Sequence, residues 1–289
     1  MKNTSKILSK SIKYKLANAK KNNPVNKKIN ASKTDKNIGD NKLSPKNANT
    51  TGNNGVSVIT CTHMYCYMNN IINNFLRQNY KKKELIIILN NNSLNLKEWK
   101  LKVKAYKNIK IFKIDEKITV GSCMNFAVKK SKYNFIANFD HDDYYGQNYL
   151  NDFMKVVKNV DAGLFGKKTQ FVFFEKSNTL AIRNPNSENK YVDFIDGPTV
   201  FFKKSIFKKV KYIDSDMADL QLSYDCTKAN IKIYSINKEN FCYIRKASKD
   251  MHTWKIEDEN FLSLPFFVLG KTKNFIKHVD INQQTSHYL

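Results

Sequence analysis

Between residues 56 and 139, apolar runs alternate with amphipathic segments. Runs at residues 56–60, 84–89, 109–114 and 133–139 predict four strands. The run at 84–89 is almost continuously apolar, as expected for a parallel strand covered by helices on both faces. Strands that alternate with helices predict an α/β fold, with a mainly parallel sheet of nucleotide-binding architecture and right-handed crossovers.

The intervening segments carry apolar side chains at helical spacing. The first helix is predicted from Ile71, Ile72, Phe75 and Leu76, and the second covers about residues 96–106. Thr119 is a candidate N-cap for the third. The inner face of that third helix is expected to carry Val120, Cys123, Met124, Ala127 and Val128.

After residue 147 the pattern changes to shorter strands. A helix at 149–157 is followed by predicted strands at 162–165, 170–174, 180–182, 199–202, 231–235 and 241–245, with a helix running through Cys226. We interpret this region as a smaller antiparallel part that holds the second substrate.

The two ends of the chain differ from the middle. Residues 1–54 are rich in Lys, Asn, Ser and Thr, which predicts a disordered basic tail able to contact an acidic surface. Residues 261–289 form a C-terminal extension, whose apolar cluster at 261–269 either closes the core or meets a partner; we favour the core. Neither a transmembrane run nor a secretory signal is evident, so a cytoplasmic location is expected, with possible association to a spore or membrane surface.

The net charge of +25 bears on the class of partner. The first 54 residues contribute +11, and the remaining +14 is spread along the chain. Such a distribution favours phosphorylated ligands or acidic surfaces over specific nucleic-acid binding. The five cysteines show no zinc-site spacing and are interpreted as reduced core residues.

Three carboxylates, Asp140, Asp142 and Asp143, follow directly after the strand at 133–139. Ligands of open α/β sheets bind at the carboxyl ends of the strands. The acidic turn therefore suits a divalent cation held between protein carboxylates and ligand phosphates. The alternative is a solvated acidic turn with no ligand.

Four segments in order carry a family resemblance. They are residues 57–62, residues 85–93, the pair Gly121 and Asn125 at a spacing of four, and residues 139–143. In this order they resemble the type A glycosyltransferase fold, family 2, in particular the spore-coat and spore-maturation glycosyltransferases of spore-forming bacteria. The resemblance covers residues 55–260, with a nucleotide-sugar half at 55–146 and an acceptor half at 147–260.

The resemblance implies a donor site. Asp140 and Asp142 occupy the Asp-x-Asp positions, with Asp142 as the direct ligand of Mn²⁺ or Mg²⁺, and Asp143 and His141 line the same turn. The metal would neutralise charge on the diphosphate of a nucleotide-sugar. The other donor-binding residues implied are Thr60, Thr62, Asn91, Gly121 and Asn125; at Asn91 the family usually has an Asp that reads the base.

An inverting transfer also needs a general base for the acceptor hydroxyl. The family's Glu-Asp pair matches Ala218 and Asp219, so Asp219 is the candidate base, with Asp216 as second choice. The alternative is that Asp219 only stabilises a helix N-terminus. His252 is a candidate further metal ligand or a packed core histidine, and Arg183 and Arg245 are candidate phosphate clamps.

The resulting hypothesis is a metal-dependent inverting glycosyltransferase that moves a sugar from a UDP-linked donor to a glycan or glycoprotein of the spore surface or envelope. A sugar-phosphate nucleotidyltransferase is one alternative, although its early Gly-rich loop is missing after residue 60. The other alternative is a non-catalytic, glycosyltransferase-like binding or assembly protein of the spore coat, which Asn91 and Ala218 favour.

Overall fold

A computed structural model describes residues 54–216, 218–248, 256, 258–262 and 264–280. Its first part alternates strands and helices as the sequence pattern predicts. The strands are β1 Val56–Thr62, β2 Lys83–Leu89, β3 Ile109–Lys113 and β4 Phe135–Asn138. The helices between them are α1 Met68–Leu76, α2 Leu96–Lys102 and α3 Val120–Lys130.

The second part consists mostly of short strands. Its strands are β5 Tyr144–Tyr145, β6 Leu164–Gly166, β7 Gln170–Phe174, β8 Thr179–Arg183, β9 Lys190–Val192, β10 Phe201–Lys203, β11 Ile233–Ser235, β12 Phe241–Arg245 and β13 Phe266–Lys271. Its helices are α4 Tyr149–Val156, α5 Ala218–Lys228, α6 Asp258–Leu262 and α7 Ile276–Val279. In the described chain as a whole, 3₁₀ turns lie at Tyr65–Tyr67 in the first part and at Gly197–Thr199 and Lys204–Lys208 in the second.

The strands form two sheets. The larger has the order β3-β2-β1-β4-β10-β6-β11-β9, and the smaller has the order β13-β8-β7-β12-β5. Strands β3, β2, β1 and β4 are mutually parallel, which confirms the predicted parallel sheet. The expectation of an antiparallel second part was wrong in two places, because β6 pairs with β11 and β7 with β12 in parallel. The large sheet continues into the second part through β10, which pairs antiparallel to β4.

Helices cover both faces of the large sheet. One hydrophobic cluster contains side chains of α1, α2 and α4, such as Phe75, Trp99 and Phe153. The other contains side chains of α3 and α5, such as Ala127 and Leu222. Because β2 is covered on both sides, its residues from Glu84 to Leu89 are fully buried, and each buried Leu or Ile contributes about 1.5–3 kcal/mol.

Several predicted elements have different ends in the structure. The second helix stops at Lys102, where the expected helix continued to residue 106. The strand expected at 199–202 begins only at Phe201, since Pro198 lies in a 3₁₀ turn at Gly197–Thr199. Thr119 caps α3 as predicted, accepting a hydrogen bond from the Ser122 N–H.

The C-terminal apolar cluster is divided between core and surface. Phe261 is buried and packs near Phe174, as expected of a segment that closes the core. Phe267, Val268 and Leu269 are instead 59%, 53% and 45% exposed, because β13 lies at the edge of the sheet that the described strands form, beside β8.

All five cysteines are free thiols. Cys123, Cys226 and Cys242 are buried, as predicted of core residues, whereas the prediction of a core position was wrong for the exposed Cys66. Within the described ranges, helices of the length and apolarity needed to span a bilayer are absent.

Candidate active site

The acidic turn lies at the carboxyl end of β4, in the middle of the large sheet. Asp140, Asp142 and Asp143 each offer a carboxylate oxygen, and these three oxygens lie within 4.8 Å of one another. Since β1 and β2 run parallel to β4, their carboxyl ends open on the same edge of the sheet. The predicted carboxylate cluster is therefore present in the fold, at the edge where α/β sheets bind ligands.

Asp140 is held from two sides. Its Oδ1 accepts a hydrogen bond from the Asn138 side chain at 3.0 Å. Its backbone N–H donates to the Tyr145 hydroxyl at 2.7 Å, and that hydroxyl donates to the Pro198 carbonyl at 2.7 Å. Tyr145 also stacks on Phe139, with ring centroids 3.8 Å apart. Sequence analysis did not predict this role of Tyr145, because an aromatic residue after the turn does not reveal the contacts of its hydroxyl.

Asp143 is the buried member of the cluster. Its Oδ1 accepts a hydrogen bond from the Ile244 N–H at 2.9 Å, while its buried Oδ2 has no hydrogen-bond partner among the described residues. Burial, and then the charges of Asp142 and Asp140, raise the pKa of Asp143 well above its ordinary value. Crowded carboxylates repel each other, so a divalent cation would stabilise their ionised forms.

The donor atoms fit a hard cation. Carboxylate oxygens are preferred ligands of Mg²⁺ and Mn²⁺. Within the cluster, the buried Oδ2 of Asp143 has no hydrogen-bond partner among the described residues. Asp140, Asp142 and Asp143 could thus hold such an ion. The structural description does not extend to His252, the further ligand suggested by the sequence.

His141 and Lys246 flank the cluster. The His141 ring stacks on Tyr67 at a centroid distance of 4.5 Å, and burial lowers its pKa. Lys246, just after β12, pairs with Glu175 at 2.8 Å, and its positive charge is near enough to lower the pKa of Asp143 in part. Lys246 was missed because it is one of many lysines in the sequence.

The expected nucleoside side of the site is built from the ends of β1 and β2. Thr60 is buried, and its hydroxyl has no partner among the described residues. The Thr62 hydroxyl accepts from the Met64 N–H at 3.2 Å. Asn91 donates to the His63 carbonyl at 2.9 Å, and its Oδ1 accepts from the Ser93 N–H at 2.8 Å. Asn91 thereby joins the loop after β1 to the loop after β2.

Gly121 and Asn125 make contacts within the protein. The Gly121 N–H donates to the Ser215 carbonyl at 3.0 Å, and a Cβ on Gly121 would lie 1.9 Å from the Ile213 carbonyl oxygen. Asn125 donates to the Tyr212 carbonyl at 2.7 Å and accepts from the Tyr212 N–H at 3.1 Å. Both residues thus fasten α3 to the segment that leads into α5, and their expected contact with the donor stays a prediction.

Carboxylates of that segment cap α3. Asp214 Oδ1 accepts from the hydroxyls of Thr119 and Ser122 at 2.5 and 2.7 Å. Asp216 Oδ1 accepts from the Val120 N–H at 3.0 Å, so this second candidate base has a helix-capping contact. Asp219 is the second residue of α5, and its side chain lies outside what the structure describes. Its catalytic role stays a prediction.

The two arginines proposed as phosphate clamps each have a carboxylate partner. Arg183 pairs with Asp196 at 2.8 Å, and Arg245 pairs with Asp258 at 2.9 Å. Both guanidinium groups also lie over the Phe261 ring, at 5.4 and 5.6 Å. These contacts tie α6 to β8 and β12 and give both arginines structural partners.

One known protein with a related sequence is a glycosyltransferase. The chain is 29% identical over 167 residues to the O-antigen biosynthesis glycosyltransferase WbnJ of Escherichia coli, covering 53% of this chain and 63% of that protein. It thus spans somewhat less than two thirds of that curated relative.

Two solved structures share the fold. One is TarS residues 1–349 of S. aureus in complex with UDP-GlcNAc, with a TM-score of 0.56, 16% identity, and coverage of 72% of this chain and 64% of that one. The other is the mannosyltransferase PcManGT of Pyrobaculum calidifontis in complex with GDP-Man and Mn²⁺, with a TM-score of 0.51, 11% identity, and coverage of 70% and 60%.

The sequence profile of Glycosyl transferase family 2 matches residues 57–213, which is more than half of the 289-residue chain. The match runs from β1, through the acidic turn after β4, to the segment that precedes α5. The chain therefore belongs to glycosyl transferase family 2.

Proposed function

We propose that the protein is a metal-dependent inverting glycosyltransferase that uses a nucleotide-diphosphate sugar. The observation that carries the proposal is the cluster of Asp140, Asp142 and Asp143 at the carboxyl end of β4, inside a family 2 domain. A bound Mn²⁺ or Mg²⁺ would supply charge neutralisation at the donor diphosphate. In this proposal Asp142 and Asp140 hold the ion.

The protein's own residues supply the remaining steps. Thr60, Thr62 and the loops joined by Asn91 receive the nucleoside, and the His141 ring closes the turn beside them. Asp219 takes the proton of the acceptor hydroxyl. The hydroxyl oxygen of the acceptor then attacks the anomeric carbon from the face opposite the leaving phosphate. Proton transfer by a positioned carboxylate contributes about 10²–10⁴-fold to such reactions.

We infer a UDP-linked donor and a glycan or glycoprotein acceptor of the spore surface or envelope. A UDP-sugar is supported by the fold shared with TarS, which was solved with UDP-GlcNAc. A surface glycan is supported by the relative that is named for O-antigen biosynthesis. The spore assignment rests on the sequence resemblance alone.

Calorimetric titration with nucleoside diphosphates, with and without Mn²⁺, tests the proposal. One nucleotide should bind in a metal-dependent way, and Asp142→Asn should abolish the metal-dependent part because it removes a charged ligand. Asp161→Asn is the control, since that carboxylate is exposed and pairs with Lys232 away from the turn. Asp219→Asn should keep nucleotide binding and lose at least about 100-fold in sugar transfer.

Full metal-dependent binding in Asp142→Asn would contradict the metal assignment. Nucleotide binding with no transfer to any acceptor would instead favour a non-catalytic binding protein. Ala218 supports this non-catalytic alternative, because the family has a Glu at that position.

A further inference from the structure

A repeated pattern on α1 separates inward from outward amides. The helix contains two Asn-Asn pairs, at 69–70 and 73–74, and Gln78 follows just beyond its end. Asn69 and Asn73 are exposed, whereas Asn70 is half-buried and Asn74 and Gln78 are buried. Residues four apart lie on one helix face, so the three inward amides form one row.

The first amide of the row contacts the backbone on both sides of Asp142. The Asn70 Nδ2 donates to the His141 carbonyl at 2.8 Å and to the Asp143 carbonyl at 3.0 Å. Two peptide groups that flank the central carboxylate are thus held by one side chain. A fixed backbone at both neighbours restricts where the Asp142 side chain can point.

The second amide extends this contact. The Asn74 Nδ2 donates to the Asp143 carbonyl at 2.8 Å, and its Oδ1 accepts from the Tyr145 N–H at 3.2 Å. Both polar atoms of the amide therefore form hydrogen bonds, one with the last residue of the cluster and one with the strand that follows it.

The third amide completes the row. The Gln78 Nε2 donates to the Gly146 carbonyl at 2.9 Å, and its Oε1 accepts from the Leu150 N–H at 3.2 Å. The row, two side chains of α1 and one residue just beyond its end, thereby contacts the backbone from His141 to Leu150. The acidic turn itself lies between β4 and β5, outside either strand, so side-chain amides supply hydrogen bonds to backbone carbonyls there.

We propose that Asn70, Asn74 and Gln78 are positioning residues that pre-organise the acidic turn for a divalent cation. This inference rests on the proposed metal-dependent function. Each hydrogen bond of this kind stabilises the backbone group that it contacts, and the cation site depends on a fixed backbone because the carboxylates repel one another. In this proposal the amides act through the backbone around Asp142 and Asp143 and make no contact with the ion.

The experiment measures Mn²⁺ binding directly, by electron paramagnetic resonance of free Mn²⁺ in the presence of the nucleoside diphosphate that binds best. Asn70→Ala should weaken Mn²⁺ binding about tenfold, the loss equivalent to about 1.4 kcal/mol. Nucleotide affinity measured without metal should change less than Mn²⁺ affinity, since Asn70 contacts the backbone carbonyl of His141 and not its ring. Asn69→Ala is the matched control and should bind Mn²⁺ like the wild type.

A second readout does not depend on metal. Hydrogen exchange at the Tyr145 amide should accelerate at least tenfold in Asn74→Ala, because the acceptor of that N–H is removed. Asn73→Ala, its exposed neighbour, should leave this exchange unchanged. Thermal denaturation of each variant checks that the fold persists, and Asn70 gives the milder variant because it is only half-buried.

The outcomes separate the two proposals. If the wild type binds Mn²⁺ and Asn70→Ala binds it equally well, the positioning role is wrong and the metal site stands. If the wild type binds no Mn²⁺ with any nucleoside diphosphate, the metal-dependent function fails. In that case the exchange rate of the Tyr145 amide tests the positioning of the turn. Unchanged exchange in Asn74→Ala would contradict it.

Discussion

Lys167, just after β6, is a fully buried lysine. Its ammonium donates to the Asn237 carbonyl and side-chain oxygen at 3.0 and 2.8 Å, and it lies 3.8 Å from the Asp152 carboxylate. Burial lowers the pKa of Lys167 to about 8, although the charge of Asp152 partly opposes this effect. The ammonium is therefore less favourable in the folded protein than in the unfolded chain.

This buried charge predicts a pH-dependent stability. Between pH 8 and the ordinary lysine pKa of about 10.4, the unfolded state binds more protons than the folded state, so the free energy of unfolding rises with pH. The contribution of Lys167 should be smallest below pH 8 and increase by roughly 1–2 kcal/mol by pH 9.5. Urea denaturation at pH 7.5 and pH 9.5 measures the change.

Variants assign that change to one residue. Lys167→Met should lose the rise relative to the wild type, because the titrating group is gone. Lys168→Gln should keep it, since Lys168 lies near the surface and pairs there with Asp193. Equal pH dependence in the wild type and Lys167→Met would contradict the assignment. The Asp152 carboxyl, whose pKa burial raises, changes stability only in the acid range.

At the scale of elements, the contact between α3 and the segment before α5 depends on the absence of a side chain at Gly121. A Cβ there would lie 1.9 Å from the Ile213 carbonyl oxygen and 2.8 Å from the Ala218 Cβ. We expect Gly121→Ala to destabilise the protein by about 1–3 kcal/mol, as overpacking in a tight contact does. Chemical denaturation provides the measurement.

The same substitution should affect transfer more than donor binding. Asp219 lies at the start of α5, next to Ala218, whereas the acidic turn follows the end of β4. Displacing α5 should lower kcat, whereas an equal loss of affinity for nucleoside diphosphate would indicate the donor contact that the sequence predicts for Gly121. Gly270→Ala is a contrasting variant at an exposed strand position, where a Cβ meets nothing within 4 Å and only the positive φ of 131° is strained. A kcat unchanged in Gly121→Ala would contradict the coupling.

The elements also show which features were predictable from sequence. Strands β1 to β4 could be predicted because their apolar patterns are clear. Helix α3 could be predicted because its apolar residues have helical spacing and Thr119 marks its start. Strand β5, with two residues, and strand β9, with the exposed Lys190 and Tyr191, carry no such periodicity. The parallel pairing of β6 with β11 joins segments nearly 70 residues apart, and local pattern contains no information about such pairing.

The candidate site was predictable to the same extent. Asp140, Asp142 and Asp143 could be found because acidic residues directly follow a buried strand, and that order alone places them at the sheet edge. Tyr145 and Asn74 could not be found, since their contacts depend on how α1 packs beside the turn. A row of amides spaced by four is a visible signal, yet Asn is abundant throughout this chain.

At the scale of the whole molecule, charge and candidate chemistry fall on different parts of the chain. Residues 1–54 carry +11 of the net +25, and the acidic turn lies far along the sequence. The segment matched by the family profile, residues 57–213, also begins after this basic stretch. We therefore expect residues 1–54 to contribute attachment to an acidic surface and no part of donor binding.

Deletion of residues 1–54 tests this separation. The truncated protein should bind its nucleoside diphosphate with the affinity of the full chain, measured by calorimetry, and should lose most of its binding to vesicles of anionic lipid in a sedimentation assay. Neutral vesicles are the control, and roughly 0.5 M salt should also release the full-length protein, because screening then acts beyond about 4 Å. A tenfold loss of nucleotide affinity on truncation would mean that the basic stretch takes part in the donor site. Unchanged vesicle binding would mean that the net charge of +14 on the remaining chain is responsible for attachment.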